Sequence, residues 1–134
     1  MPSVPLKVLT KAFALAIVRL VEELPNRRAG WVIGDQLMRS GTSVGANYRA
    51  ACRARSRRDF IAKMGIVEEE ADEIVYWIEL LVDCGQLKQN RVSKLLAETN
   101  EIIAIVVSSI RTSRSNGNPR SMPKSAIRIP QSAI

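Results

Sequence analysis

Acidic residues are the side chains of this chain whose spacing best fits a reaction. Glu69, Glu70 and Glu73 form an EExxE pattern, and Glu98 and Glu101 form an ExxE pair on the next predicted helix. Carboxylates from two adjacent helices can hold Mg²⁺ beside a nucleoside triphosphate. On a helical wheel, however, the acids of the first pattern spread around the helix, whereas a metal site needs them to converge. Magnesium-dependent pyrophosphate release is therefore an alternative activity and not the favoured one.

Histidine is absent from the 134 residues. Its absence removes the usual general base, the Ser-His and Cys-His nucleophile pairs and nearly all transition-metal sites. The two cysteines, Cys52 and Cys84, are far apart and form no CxxC pair. We therefore expect no enzyme activity, no metal site and no cofactor.

The overall charge is strongly positive. Lys and Arg number 20 against 13 Asp and Glu, a formal net charge of +7. Such an imbalance favours a polyanionic partner. No apolar run is long enough to span a bilayer, and the first residues lack a signal-peptide core. We expect a cytoplasmic protein with no membrane partner.

Four amphipathic segments with apolar residues at 3–4 spacing predict four helices. Their predicted core stripes are Phe13, Ile17, Leu20 and Leu24; Ile33, Leu37, Ser40, Val44, Asn47 and Ala51; Phe60, Met64, Val67, Ala71, Ile74, Ile78 and Leu81; and Val92, Leu96, Ile103, Val106 and Ile110. Ser56 with Asp59 is a variant capping box, and Gly85 is placed as a C′ residue.

Short connections between these helices predict an all-α, antiparallel up-and-down four-helix bundle over residues 1–113. No segment shows strand alternation. Residues 114–134 are rich in Ser, Pro, Asn, Gly and basic residues. They predict a disordered basic C-terminal tail.

An antiparallel bundle brings dispersed cations to one end. The start of helix 1, the turn between helices 2 and 3, and the finish of helix 4 share that end. The candidate nucleic-acid-binding residues are Lys7, Lys11, Arg49, Arg53, Arg55, Arg57, Arg58, Arg111 and Arg114. Arg57 and Arg58 begin helix 3, where the helix dipole disfavours cations by ~0.3–1 kcal/mol each. The alternative is a solvated turn whose arginines serve solubility.

Binding at this end would rest on phosphate contacts, with strong salt dependence and little base specificity. Tyr48 and Phe60 are the aromatic residues close to it in the sequence, and Phe60 has core spacing.

A second group of polar residues is expected to hold helices and subunits together. Glu70, Glu73 and Trp77 share one flank of helix 3, which suits a subunit interface whose arginines come from a neighbouring copy. Polar residues within the apolar stripe of helix 2 commonly fix register or oligomeric state. The candidate packing and oligomer residues are Gln36, Arg39, Ser43, Asn47, Glu70, Glu73 and Trp77.

Several ordered motifs carry a family resemblance. They are the runs QLMRSGTSVGANYR at 36–49, ARSRRDFIAK at 54–63 and EADEIVYWIELL at 70–81, with Leu24-Pro25 closing helix 1. Over roughly residues 6–113 the chain resembles the bacterial four-helix bundle proteins encoded by intervening sequences of 23S ribosomal RNA. The acidic pattern looks like the all-α nucleotide pyrophosphohydrolases of the MazG type, although that family's second element ends in Asp where this chain has Glu101.

The first resemblance implies a homopentamer with a central channel. It also implies kinship with the accessory variability protein of diversity-generating retroelements, which is basic and binds a reverse transcriptase and nucleic acid. Ala50 stands where the family often has Glu, which leaves the basic end more positive. The expected function is a non-enzymatic homo-oligomer that binds nucleic acid, with RNA favoured. The alternative is a protein scaffold that docks an acidic partner such as a reverse transcriptase.

Overall fold

The structure is a computed structural model that describes residues 3–116 and 128–130. Four helices make up most of it: α1 (Leu6–Glu22), α2 (Arg28–Cys52), α3 (Arg57–Asp83) and α4 (Gln89–Asn116). The predicted all-α fold with four helices is confirmed.

Contacts between the helices show that α1 and α2 run antiparallel and that α3 begins where α4 ends. Along α2, Gly34 lies beside Leu24 near the end of α1, whereas Gly45 lies beside Thr10 near its start. The side chain of Arg57, at the start of α3, reaches the carbonyl of Ser113 near the end of α4. The ends of the helices therefore meet as the sequence analysis expected.

The core stripe of α3 agrees with the prediction at every position. The buried residues of this helix are Phe60, Met64, Val67, Ala71, Ile74, Ile78 and Leu81. In α1 the predicted Phe13, Ile17 and Leu20 are buried, together with Leu6 and Thr10. In α2, Leu37, Ser40, Val44 and Ala51 are buried, whereas Ile33 and Asn47 are only partly covered.

The predicted stripe of α4 is wrong in its middle. Leu95 and Ile102 are buried, and the predicted Leu96 and Ile103 lie at the margin of the core. The buried line of this helix includes polar residues, which an apolar pattern misses. Thr99 is fully buried and its hydroxyl donates to the Leu95 carbonyl at 2.7 Å. Because that hydrogen bond satisfies the hydroxyl, burial costs little free energy.

Both predicted helix-end motifs of α3 are present. The Ser56 hydroxyl accepts a hydrogen bond from the Asp59 amide at 3.0 Å, which caps the N-terminus. At the other end, Gly85 has a positive φ of 81°. The Gly85 amide donates to the Val82 carbonyl and the Gln86 amide to the Leu81 carbonyl, which is the Schellman arrangement.

Two short strands lie outside the helices. β1 (Ser3–Pro5) pairs antiparallel with β2 (Arg128–Pro130), with Val4 opposite Ile129. No strand was predicted from the sequence, since three residues are too few for alternation to show. Helix α4 continues to Asn116, beyond the predicted boundary at 113. The rest of the predicted tail, residues 117–127 and 131–134, lies outside the described residues.

Several large apolar side chains face outward. Val8 and Leu15 lie on α1, Trp31 and Val32 at the start of α2, and Tyr76 on α3. None of the helices in the described part of the chain combines the length and apolar composition that crossing a membrane requires.

Candidate nucleic-acid interface

One end of the bundle collects exposed cations from all four helices and the α2–α3 turn. We call this the basic end, defined by Lys7, Lys11, Arg49, Arg53, Arg55, Arg58, Arg111 and Arg114. Each of these side chains is exposed, and none forms an ion pair with another residue of segments 3–116 and 128–130. They are therefore positioned to meet an external anion without first breaking an internal contact.

Arg57 belongs to the same sequence cluster but has a different role. Its guanidinium donates to the carbonyls of Ser113 and Arg114 at 3.0 and 3.2 Å. These carbonyls lie in the last turn of α4, where the helix offers no amide partners. A cation is unfavourable at the start of α3 but favourable at the end of α4. Arg57 therefore ties the two helices together, and its predicted phosphate contact would compete with this bond.

Three further residues near this end are also engaged internally or buried. Lys63 pairs with Asp59 at 2.7 Å, which neutralises the one acid that the sequence places among the cations. Tyr48 is only 2% exposed and Phe60 only 5%. Neither ring is therefore available to stack on a base.

The exposed cations line hollows on two flanks of the bundle. On the α1–α2 flank, a hollow of about 450 Å³ is lined by Lys11, Arg49 and Arg53 among others. On the α3–α4 flank, a hollow of about 460 Å³ is lined by Arg111 and Arg114, and Glu68 also lines it. The carboxylate on the second flank makes the first flank the more favourable one for an anion.

Small residues of α2 bring the cations of the first flank together. A Cβ at Gly41 would lie 2.6 Å from Ile17 Cδ1, and one at Gly45 would lie 3.3 Å from Thr10 Oγ1. The missing side chains therefore allow α1 and α2 to approach closely. As a result, Lys11 of α1 and Arg49 of α2 line the same hollow.

The predicted packing residues lie together in a polar cluster midway along the helices, and the contacts of this cluster are within one chain. The Arg39 guanidinium donates to Glu70 Oε2 at 3.1 Å and to Glu73 Oε1 at 2.6 Å. From the sequence, arginines of a neighbouring copy were expected to meet these carboxylates. In this structure the chain's own Arg39 meets them, and it thereby links α2 to α3.

The remaining predicted packing residues surround Arg39. Gln36 accepts a hydrogen bond from Arg39 Nε at 3.4 Å, and the Ser43 hydroxyl donates to the Arg39 carbonyl at 2.7 Å. The Asn47 amide donates to the Ser43 carbonyl at 2.9 Å. Trp77 Nε1 donates to Glu73 at 3.1 Å. The structure thus brings Gln36, Arg39, Glu73 and Trp77 into one network, while Ser43 and Asn47 bond to the backbone of α2.

Several acidic residues of the alternative Mg²⁺ site are engaged in contacts with basic side chains. Glu70 and Glu73 bind Arg39, and Glu98 lies 3.9 Å from Lys94. Within segments 3–116 and 128–130, no group of three or more acidic or cysteine residues is arranged to hold a metal ion.

At the end of the bundle opposite the basic end, Arg91 and Glu23 form an ion pair. Arg91 donates two hydrogen bonds to the Glu23 carboxylate, at 2.9 and 2.6 Å. The hydrogen bond from Arg91 holds the pKa of Glu23 below its ordinary value of 4.5, against the opposing effect of desolvation. The same bond raises the pKa of Arg91. Both side chains remain exposed to solvent, so the pair is screened.

Some residues that shape the first flank were not predicted from the sequence. Val8 and Leu15 line a second hollow of about 500 Å³, which also contains Lys11 and Arg49. A signal was present, because these apolar residues are seven apart on α1 and lie off its core stripe. The glycines of α2 at 34, 41 and 45 also repeat at helical spacing.

Comparisons with known proteins agree with this architecture. The crystal structure of a protein of unknown function from the S23 ribosomal protein family of Bacteroides thetaiotaomicron VPI-5482 is similar, with 38% sequence identity and a TM-score of 0.74. The match covers 78% of this chain and 97% of that one. A search of curated proteins gave no match. The profile of the 23S rRNA-intervening sequence protein family matches residues 5–108, and the chain belongs to that family.

Proposed function

We propose that the chain is a non-enzymatic, cytoplasmic homo-oligomer that binds nucleic acid, with RNA favoured, through its basic end. One observation carries this proposal. Exposed cations from the start of α1, the end of α2 and the end of α4 converge on one end, without ion-pair partners among the described residues. Unpaired converging cations fit a ligand with regularly repeated negative charge.

The phosphate contacts are assigned to exposed residues of α2, of α3 and of the turn between them. Arg49 lies in the last turn of α2, Arg53 is its C-cap residue, Arg55 lies in the turn, and Arg58 lies in the first turn of α3. Lys7, Lys11, Arg111 and Arg114 support them from α1 and α4. Arg57 is assigned to holding α3 against α4, because its donors are bonded to backbone carbonyls.

A homo-oligomer, and specifically a pentamer, is the proposed working unit. Trp31 is 56% exposed and Val32 59% exposed at the start of α2, and Tyr76 is 56% exposed on α3. Exposed apolar residues on two helices are suited to contacts between copies. A ring would also present several basic ends to one strand and raise its overall affinity. Light scattering coupled to gel filtration measures the mass directly, and a monomer at micromolar concentration would contradict this part of the proposal.

Titration of labelled RNA and DNA at rising salt tests the binding itself. We expect affinity to fall steeply with salt, because binding releases counterions from the phosphates. Absence of binding to either nucleic acid at low salt would contradict the proposal.

An acidic protein partner is the competing class, because it would use the same cations. Adding an acidic polypeptide such as polyglutamate to the RNA titration separates the two classes. We expect RNA to remain bound when polyglutamate is added at an equal concentration of negative charge. Preference for the polypeptide would favour a protein scaffold.

The proposal includes no catalytic step. Glu70 and Glu73 of the EExxE pattern bond to Arg39 and so contribute to packing. Incubation with nucleoside triphosphates and Mg²⁺, followed by a pyrophosphate assay, is expected to show no release above the blank. Release that depends on Glu70 would establish the enzymatic alternative.

A further inference from the structure

The α1–α2 flank of the basic end has two chemically different halves. The first hollow contains Lys11, Arg49 and Arg53 above a floor that includes Gly45 and Ala46. The second hollow shares Lys11 and Arg49 with the first, so the two lie side by side. We call the combined feature the α1–α2 groove. Its floor is low because glycine and alanine carry little or no side chain.

The second half of the groove is largely apolar. Val8 is 58% exposed and Leu15 46% exposed, and both line this half. They are seven residues apart on α1 and therefore lie on the same face, two helical turns from one another. A surface for phosphate alone would gain nothing from these side chains. Their position beside cations fits a ligand that carries apolar surface next to negative charge.

We propose that the α1–α2 groove binds single-stranded nucleic acid in preference to duplex, an inference that rests on the proposed function. Phosphates lie against Lys11, Arg49 and Arg53, and an unstacked base lies on Val8 and Leu15. In a duplex the faces of the bases are covered by stacking, whereas a single strand exposes them to apolar protein surface.

The spacing of the cations agrees with this assignment. Arg49 lies in the last turn of α2 and Arg53 is the C-cap residue of that helix, which places them about 6 Å apart along the helix axis. Lys7 and Lys11 repeat this spacing on α1, and all four side chains are exposed. Two short rows of cations thus flank the groove, so one strand can follow it with consecutive phosphates near successive cations.

The contact to the base is expected to be non-specific and moderate in strength. Single-strand binding proteins commonly use aromatic rings for base contacts, whereas the aromatic residues next to the groove cations in the sequence, Phe13 and Tyr48, are buried. Aliphatic side chains offer apolar surface without hydrogen bonds to base edges. All bases should therefore bind similarly.

The first test changes the ligand and leaves the protein untouched. Three labelled RNAs of equal length are compared by fluorescence anisotropy at one salt concentration: a single strand, the same strand with abasic sites in its middle, and a duplex. We expect the intact single strand to bind about tenfold more tightly than the abasic strand. We also expect it to bind more tightly than the duplex, although the duplex has the higher charge density that electrostatics alone would favour.

The second test removes the apolar surface. The double variant V8S/L15S should bind the intact strand only as tightly as the abasic strand, while its affinity for the abasic strand stays unchanged. I66S provides a matched control, since Ile66 is exposed on α3 outside the groove. That variant should retain the tenfold preference. The variants K11Q and R49Q should weaken binding of both strands.

The outcomes separate this inference from the proposed function. If the wild-type protein binds none of the three RNAs at low salt, both are wrong. If it binds all three with the duplex tightest and the abasic strand equal to the intact one, only the groove assignment is wrong. An equal loss of affinity for the intact and the abasic strand in V8S/L15S would also overturn the groove assignment. The groove assignment would also be overturned if the protein bound an acidic amphipathic peptide more tightly than RNA and this binding depended on Leu15.

Discussion

Arginine has opposite roles in two charged regions of this bundle. In the polar cluster midway along the helices, the Arg39 guanidinium bonds to Glu70 and Glu73 of the same chain. At the basic end, Arg49 and Arg53 are exposed and have no ion-pair partner among the described residues. Residue type is therefore a poor guide to function here. The presence or absence of an internal partner distinguishes a structural cation from one available to a ligand.

Arg57 shows that position is not a sufficient guide either. It lies among the cations of the basic end, yet its guanidinium bonds to carbonyls in the last turn of α4. Neighbouring Arg58 is exposed. Two adjacent arginines thus belong to different classes, and mutation can distinguish them.

The largest expected effect is on nucleic-acid affinity. Reversing two charges in R49E/R53E should weaken RNA binding at low salt about 100-fold, because each change removes an attraction and adds a repulsion. The matched control is R19E/R28E, which makes the same charge change towards the other end of the bundle at exposed residues. Anisotropy titrations measure both. Equal losses in the two variants would mean that net charge alone governs binding.

The next effect is on stability, in the polar cluster. R39L leaves the carboxylates of Glu70 and Glu73 without their partner, and the Glu70 side chain is only 15% exposed. We expect a loss of about 1–2 kcal/mol in the free energy of unfolding, moderated by the partial exposure of Arg39. RNA affinity should not change. Urea unfolding and RNA titration together check this, and the reverse pattern would place Arg39 in the binding surface.

A smaller pair of opposite effects is expected at the start of α3. R57A removes hydrogen bonds to the end of α4 and should destabilise the protein by about 1 kcal/mol. R58A removes an exposed cation from a helix N-terminus and should stabilise it by about 0.3–1 kcal/mol. Thermal unfolding of both variants under the same conditions measures the signs. Destabilisation by R58A equal to that by R57A would show that the two arginines are not different.

The smallest effect concerns the exposed ion pair between Glu23 and Arg91. Because the pKa of Glu23 is lowered in the folded state, the pair contributes stability above the ordinary carboxyl pKa. That contribution is lost as pH falls through the lowered pKa. Wild type should therefore be slightly more stable than E23Q at neutral pH, and the difference should vanish in acid. Urea unfolding at several pH values checks this, and a difference that grows in acid would contradict it.

The helices were predictable from the sequence to the extent that apolar residues alone define their buried faces. The α3 stripe from Phe60 to Leu81 is fully apolar, and its prediction holds throughout. The α4 stripe contains Thr99 and Ser113, so a pattern built on apolar residues shifted to Leu96 and Ile103. Polar side chains that bond to their own helix can be buried, and this is invisible to hydrophobic periodicity.

The candidate site was predictable in position but not in detail. An antiparallel order of consecutive helices brings the start of α1, the end of α2 and the end of α4 to one end, and with them Lys11, Arg49 and Arg111. The bond of Arg57 to Ser113 joins residues more than fifty positions apart, and the pairing of Arg39 with Glu70 also depends on how helices pack. Such contacts depend on side-chain geometry between helices, which spacing along one helix does not reveal.

The salt dependence of RNA binding by two single-charge variants tests the central claim most directly. Binding constants of wild type, R49Q and R39Q are measured over a range of salt concentrations at matched oligomeric state. The slope of log K against log salt should be shallower by about 1 for R49Q and unchanged for R39Q, because only the first residue contacts phosphate. The same slope for all three proteins, or a wild-type affinity that does not depend on salt, would contradict the distinction between paired and unpaired arginines.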